Sequence, residues 1–485
     1  MAHDIEASWA TIEIARIFKN TPTNCFSNPP PQSSLSIFSS RQGKKIWPIA
    51  DGVIKVEHGN NTYDVALEFK SPNEGVHGIL TAIGQSLAYI NRGFSGTVIV
   101  IPKSYDTLSN PGKFVTNVLD SSCTNEPIGV FTYDKPDSTL PSPFENKMKC
   151  NRTISLDNVV GQQISGLTGK VETQWAHLRE GSSTPSAFFR YLQVSKRLGI
   201  ETTQPRIKIP RNLSNAVNRI TQQDVMKYLS NSPRDFFHDK VWRSFWFTNV
   251  FTPKVAPLWK TPKSGNYEVN DSPTLLVLPD GSGPMKFFST RSDSVKPKLV
   301  TKLNAGSITE DEALEEYAKN VHNRAHSYRE DIDSGLFHLG FLDEDGRPTE
   351  LGYRFVDSCE RTGDPNNGTP KSILGYAILK NGQLEAFLHY VYRLSEEKFQ
   401  SDPFKFANRA SSTLDREGYL KWLERELANR LRVMRKVSAR GGTSRKPFQA
   451  ELAILRKFNF VKGFRIGVGL VINWPEVQQY LEYRP

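Results

Sequence analysis

Apolar residues at helical spacing open the chain. Ser8 to Phe18 reads Ser-Trp-Ala-Thr-Ile-Glu-Ile-Ala-Arg-Ile-Phe, which predicts an amphipathic helix with Glu13 near its middle. The period then changes to two. Trp47 to Val56 predicts one short strand and Tyr63 to Lys70 a second, with Gly59-Asn60-Asn61 as a hairpin turn between them. In a strand, residues two apart share a face, so Tyr63, Val65, Leu67 and Phe69 form an apolar side. Asp64, Ala66, Glu68 and Lys70 form the other. A turn centred near Gly59-Asn60 sets Asp51 opposite Glu68. Glu74 to Asn91 then predicts a helix, Gly96 to Pro102 a buried strand, Phe114 to Leu119 a short helix and Ile128 to Tyr133 a last strand.

The polar side of the second strand changes the picture from fold to chemistry. Asp51 and Glu68 converge from neighbouring strands, and Lys70 lies beside Glu68. One or two carboxylates suffice to hold a hard cation such as Mg²⁺ against phosphate oxygens. Such a cation lowers the pKa of a bound water and offsets charge on a scissile phosphate, and a lysine can orient the water or steady the transition state. Asp51 followed by Glu68-Phe69-Lys70 resembles the PD-(D/E)xK nuclease superfamily, with Ala50-Asp51 in place of Pro-Asp. Gln85 and Tyr89, one helical turn apart, resemble the Gln-x-x-x-Tyr motif of its RecB-type branches. Glu13 resembles the first-helix glutamate that some branches add near the metal. The resemblance spans roughly the first 140 residues. It implies an α/β (α+β) restriction-endonuclease-like domain with a central mixed sheet. It also implies Mg²⁺ held by Asp51, Glu68 and Glu13, and catalysis by Asp51, Glu68 and Lys70 with Gln85 and Tyr89 in support. Asp64 competes with Asp51 as second ligand; Asp51 is favoured by its position across the hairpin.

Beyond this core the pattern predicts residues 146–190 as a bridge, then mainly helical segments over 191–365 and 366–485. Thr309 caps a helix over 309–332, and Leu336 to Gly352, turning at Asp345-Gly346, predicts a hairpin. Helix followed by hairpin is similar to the end of a winged-helix domain. The aromatic run Phe236, Phe237, Trp242, Phe245, Trp246 and Phe247 is expected to pack a core. Near the C-terminus, Glu417 to Val437 predicts a basic amphipathic helix, Ala439 to Lys446 a basic glycine-containing loop, Phe448 to Phe458 a helix, and Phe464 to Trp474 a strand-like run.

Charge adds a partner. Residues 405–465 carry sixteen Lys and Arg against five Asp and Glu, a surplus equal to the +11 net charge of the whole 485-residue chain. Clustered basicity of this kind favours a polyanion, and phosphate contacts would make affinity salt-dependent. Arg432, Arg435, Lys436, Arg440, Arg445 and Lys446 are the expected contacts to double-stranded DNA. The four cysteines lack disulfide or metal spacing, the N-terminus lacks a signal pattern, and no apolar run approaches ~20 residues, so a cytoplasmic, membrane-free protein is expected. No Walker motif, dinucleotide fingerprint or Gly-x-Ser-x-Gly elbow is present, which excludes ATP-driven and serine-hydrolase readings. The expected activity is a Mg²⁺-dependent DNA endonuclease of type II restriction class, possible in a IIS-like layout with cleavage displaced from recognition. One catalytic centre per chain implies pairing of two chains, and the class implies a companion DNA methyltransferase. Alternatives are a repair or recombination nuclease reading branched or single-stranded DNA, and a non-catalytic DNA-binding protein with a degenerate nuclease fold.

Overall fold

A computed structural model describes residues 2–40, 48–59, 61–155, 173–176, 178, 183–200, 236–250, 259–260, 265–269, 277–283, 294–343, 345–408, 412–434 and 447–483. The chain divides into two compact units. The first comprises Met1–Trp175, Gly382–Phe448 and Leu455–Arg484, and the second Ala176–Asn381 with Gln449–Ile454 and Pro485. The division expected from the sequence set 366–485 apart; in the structure most of that segment groups with the N-terminal residues.

The first unit is mixed α/β. It begins with helix α1 (Ala2–Asn20), then strands β1 (Leu35–Ser40), β2 (Gly52–His58) and β3 (Asn61–Phe69), helix α2 (Gly75–Asn91), β4 (Gly96–Pro102), α3 (Pro111–Ser122), β5 (Ile128–Tyr133) and β6 (Met148–Arg152). The six strands pair in chain order. β1, β2 and β3 are antiparallel, β3, β4 and β5 are parallel, and β6 is antiparallel to β5. Parallel neighbours require crossovers, and the right-handed rule places the two crossover helices α2 and α3 on the same face. The cores agree. Ile79 and Ala82 of α2 and Val115 and Leu119 of α3 bury Ile99, Ile101, Ile128 and Val130. Ala10, Ile14 and Phe18 of α1 bury Val65, Leu67 and Phe69 on the opposite face. The strand alternation of β3 therefore decides which helix each residue meets: Leu67 faces α1 and Glu68 faces α2.

Beyond β6 the longer elements among the described residues are α4 (Pro185–Ile200), α5 (Phe236–Phe245), α6 (Val295–Asn304), α7 (Glu310–His338), α8 (Glu350–Thr362), α9 (Gly368–Leu379), α10 (Leu384–Ser401), α11 (Arg416–Arg425), α12 (Gln449–Lys457), the hairpin β7–β8 (Val461–Arg465 and Gly469–Ile472) and α13 (Trp474–Glu482). In the first unit, α10 packs along β1. Arg430 is held by Glu57 and Glu397, each 3.0 Å away, and lies over the Phe38 ring. In the second unit, Lys196 of α4 bridges Asp357 and Glu360 of α8 at 2.6 and 2.7 Å. Of the aromatic run, Trp242, Phe245 and Trp246 are buried: the two tryptophan ring centroids lie 5.4 Å apart, and Tyr191 joins Phe245 at 5.3 Å.

Several expected elements change extent. Thr309 does cap α7, its hydroxyl accepting from Glu312 N, but the helix runs on to His338. Leu336 to His338 are thus helical, and the expected hairpin reduces to a single Leu342–Pro348 bridge before α8. The helix expected to reach Val437 ends in a π-turn at Glu426–Arg430. The strand-like run at 464–474 is split between β7, β8 and the first residue of α13. Among the described residues, no helix is long and apolar enough to cross a membrane.

Candidate active site

The carboxyl end of β3 and the start of β2 meet at one end of the central strands. Gly52 pairs with Leu67 and His58 with Asn61, so the hairpin closes across Gly59 and position 60. Gly59 takes φ 58°, a left-handed conformation that glycine adopts without strain. That register continues one step to set Asp51 beside Glu68. Asp51 N donates to Leu67 O at 3.0 Å and Asp51 Oδ2 accepts from Phe69 N at 2.9 Å, fixing the carboxylate at the strand end.

Glu68 is 1% exposed. Its Oε1 lies 2.6 Å from Lys70 Nζ, and its Oε2 accepts a short hydrogen bond from the Tyr89 hydroxyl. Burial pushes the Glu68 carboxyl up to about 7, and the Asp51 charge adds to the rise; Lys70 and Tyr89 oppose it. Burial works against the charge on Lys70, but Glu68, Glu74 and Asp51 together raise its pKa above the ordinary value, so it stays an ammonium. The Lys70 backbone is pinned on both sides: its N–H donates to Val100 O at 2.9 Å, and its carbonyl accepts from the Tyr133 hydroxyl at 2.8 Å. Its stem passes under α2 at Gly78, where an added Cβ would stand 3.4 Å from Lys70 Cδ.

Positions 78, 82, 85 and 89 form one stripe of α2. Gly78 lies over Lys70 and Tyr89 reaches Glu68, so Gln85 falls between them on the same side. The Gln85 Oε1 atom is buried without a hydrogen-bond partner among the described residues. An orphaned acceptor costs about 1–3 kcal/mol, and a water between the stripe and Glu68 would remove that cost.

Sequence reasoning missed three neighbours. His3 Nε2 lies 2.9 Å from Phe69 O, 3.3 Å from Glu74 Oε1 and 3.9 Å from Asp51 Oδ2. Glu74 also approaches Lys70 Nζ at 3.3 Å and accepts from Ser71 N at 2.8 Å in a capping box. The Ser71-x-x-Glu74 spacing directly after Lys70 was the available signal; nothing local marks His3 or Tyr133.

One expected ligand, Glu13, lies elsewhere, and Asp64, the disfavoured competitor of Asp51, is engaged in another contact. Glu13 is buried on α1, the helix that covers the face opposite Glu68, and both its oxygens bind Arg16, at 2.6 and 2.9 Å. The structure therefore does not bring Glu13 to Glu68. Asp64 shares the face of Glu68 but forms a short ion pair with buried Lys55, its cross-strand partner. Of the expected DNA contacts, Arg432 is exposed, whereas Arg435, Lys436, Arg440, Arg445 and Lys446 lie outside the described residues.

A divalent cation is compatible with the donors present. Asp51 and Glu68 contribute carboxylates, and the Phe69 carbonyl shares with Asp51 the neighbourhood of one His3 nitrogen. Oxygen donors of this kind suit Mg²⁺, which takes one or two carboxylates and keeps much of its water. Among the described residues no cluster of three or more His, Cys, Asp and Glu side chains stands ready for a metal, so water and phosphate would complete the shell. Compared with models of known families and with curated proteins, the chain matches none.

Proposed function

We propose that the N-terminal sheet is the catalytic core of a Mg²⁺-dependent DNA endonuclease of the PD-(D/E)xK kind. The observation that carries this reading is the β2–β3 register, which sets Asp51 beside Glu68 with the Lys70 ammonium 2.6 Å from Glu68. Asp51, Glu68 and the Phe69 carbonyl would hold the metal, which supplies a Lewis acid for the phosphate and a water of lowered pKa. Lys70 is the chain's own charge for the reaction: fixed, protonated and beside the carboxylate, it steadies negative charge on the phosphate or orients the attacking water. Tyr89 holds Glu68 in place, and the Gln85 oxygen accepts from water in the same stripe. Glu13 is left out of the metal set because it lies on the other face.

The proposed substrate is double-stranded DNA, supported by the basic surplus in 405–465. Not all of that surplus faces outward, since Arg430 is held by Glu57 and Glu397. Restriction-type cleavage by a pair of chains, with winged-helix-like reading segments and a companion methyltransferase, is the finer form of the proposal. The test is incubation with Mg²⁺ and end-labelled DNA, either long duplex or branched and single-stranded. Discrete duplex fragments support the restriction reading. Cutting confined to branches or single strands moves the proposal to repair and recombination nucleases. Binding without cutting of any substrate refutes both.

A further inference from the structure

A concavity lies within the first unit, built from other residues than the candidate active site. It is a cleft of about 620 Å³ between α1, the end of β1, α10 and the start of α13. That volume is in the range of small-molecule sites. Its lining has two chemistries. Arg16, Lys19 and Arg393 supply three cations, and His389, Tyr392 and Trp474 supply three rings; among the described lining residues none is acidic. The rings form a connected wall, with His389 4.7 Å from Trp474 and Tyr392 edge-on to Trp474 at 5.8 Å. Tyr392 is 41% exposed, so part of its ring is open to a ligand.

The cations are arranged, not scattered. Buried Glu13 grips Arg16 through two hydrogen bonds, at 2.6 and 2.9 Å, which sets the guanidinium at the rim. Arg393 is held by Glu396 at 2.6 Å. Trp474 and Pro475 open the nine-residue helix α13, whose positive end adds to the field. Glu145 also approaches Arg16, at 3.8 Å, and Glu396 accepts from the Tyr392 hydroxyl at 3.3 Å, so acids outside the lining hold the arginines and one of the rings. Aromatic wall and basic rim together select a ligand that is flat and apolar at one end and anionic at the other. Inorganic phosphate alone leaves the rings without a role.

We propose that this cleft binds a nucleotide, with the base against Tyr392 and Trp474 and the phosphate toward Lys19, Arg16 and Arg393. The same chemistry is carried by a free mononucleotide and by a nucleotide displaced from a DNA strand. Glu13, a residue the sequence marked, is on this proposal a positioning residue for Arg16.

The experiment is calorimetry on the full chain in EDTA, which keeps divalent metal out and separates this site from the nuclease reading. The probes are the four deoxynucleoside monophosphates, with inorganic phosphate and deoxynucleosides as controls. Short duplexes with and without one extrahelical nucleotide form the second arm. Binding of monophosphates above both controls, or of the extrahelical duplex above its fully paired form, supports the proposal. Which arm responds identifies the source. Tyr392→Ala should weaken that binding at least about fivefold, the lower end for loss of one stacking partner. Lys19→Ala should weaken it and flatten its salt dependence. Both side chains are exposed, so thermal melts of these variants should match the parent. Glu13→Gln should weaken monophosphate binding through Arg16 while leaving nucleoside binding unchanged. No preference over the controls in either arm overturns the proposal. So does parental affinity in both Tyr392→Ala and Lys19→Ala.

Discussion

Glu68 offers the sharpest quantitative test. Its carboxyl ordinarily ionises near 4.5, and burial followed by the Asp51 charge pushes it up to about 7. At pH 6 such a group is about nine-tenths protonated and at pH 8 about one-tenth. A metal takes the carboxylate, not the acid, so Mg²⁺ binding should release about 0.9 proton from Glu68 at pH 6 and about 0.1 at pH 8. The apparent affinity should fall toward about tenfold per pH unit below pH 7. Calorimetric titration of Mg²⁺ in buffers of different ionisation enthalpy measures both quantities. Glu68→Gln removes the titrating group and with it a metal ligand, so the variant should bind Mg²⁺ more weakly and lose the pH-dependent proton release at whatever binding remains. Equal proton release at pH 6 and pH 8, or the same release in Glu68→Gln, refutes the reasoning. The metal-free protein has a matching sign. Between about 4.5 and 7 the folded state holds a proton that the unfolded state has lost, so stability falls as pH rises through that window and levels above it. The full difference is about 3 kcal/mol, and Mg²⁺ should oppose it.

Other outcomes follow from single contacts. Tyr89→Phe deletes the hydroxyl that donates to Glu68; a buried charged hydrogen bond is worth about 1.5–3 kcal/mol, so thermal unfolding should occur earlier and any cleavage rate should drop. Asp64→Asn leaves Lys55, which is 4% exposed, without its charge partner. It should cost about 3–5 kcal/mol in a denaturant melt yet keep Mg²⁺ binding, whereas Asp51→Asn should do the reverse; loss of Mg²⁺ binding in folded Asp64→Asn would exchange their roles. Gly52→Ala would drive a Cβ to 2.1 Å from Thr11 Oγ1. It should destabilise by about 1–3 kcal/mol, and Thr11→Ala in the same chain should recover part of the loss; an unchanged melt would contradict the close packing of α1 on β2.

The central sheet was legible where its signal is local. Val65, Leu67 and Phe69 alternate with Ala66 and Glu68, and the Gly59 turn fixes the register, so Asp51 could be placed opposite Glu68 without coordinates. Strand β1 was missed because Leu35 to Ser40 offers three apolar residues amid serines; its partner is β2, and of the two helices packed on it α1 is near in sequence but α10 is more than 340 residues away. Edge strand β6 is half-buried and carries little alternation. Helical periodicity placed Glu13 on α1 but does not say which face of a sheet a helix covers, and that face decides its neighbours. His3 and Tyr133 reach the site only through the fold. The grouping of the C-terminal segment with the sheet rests on non-local contacts such as Arg430 with Glu57, which no window of sequence displays.

The most direct test of the nuclease reading is the rate at which supercoiled closed-circular DNA is opened by the purified chain in Mg²⁺, beside Lys70→Ala and beside EDTA. Lys70 supplies the fixed ammonium 2.6 Å from Glu68. Loss of that charge should slow opening by at least about a hundredfold, the scale for removing one transition-state stabiliser, with folding and DNA binding retained. EDTA should abolish it. Opening at the parental rate in Lys70→Ala, or undiminished in EDTA, would contradict a catalytic site at Asp51, Glu68 and Lys70.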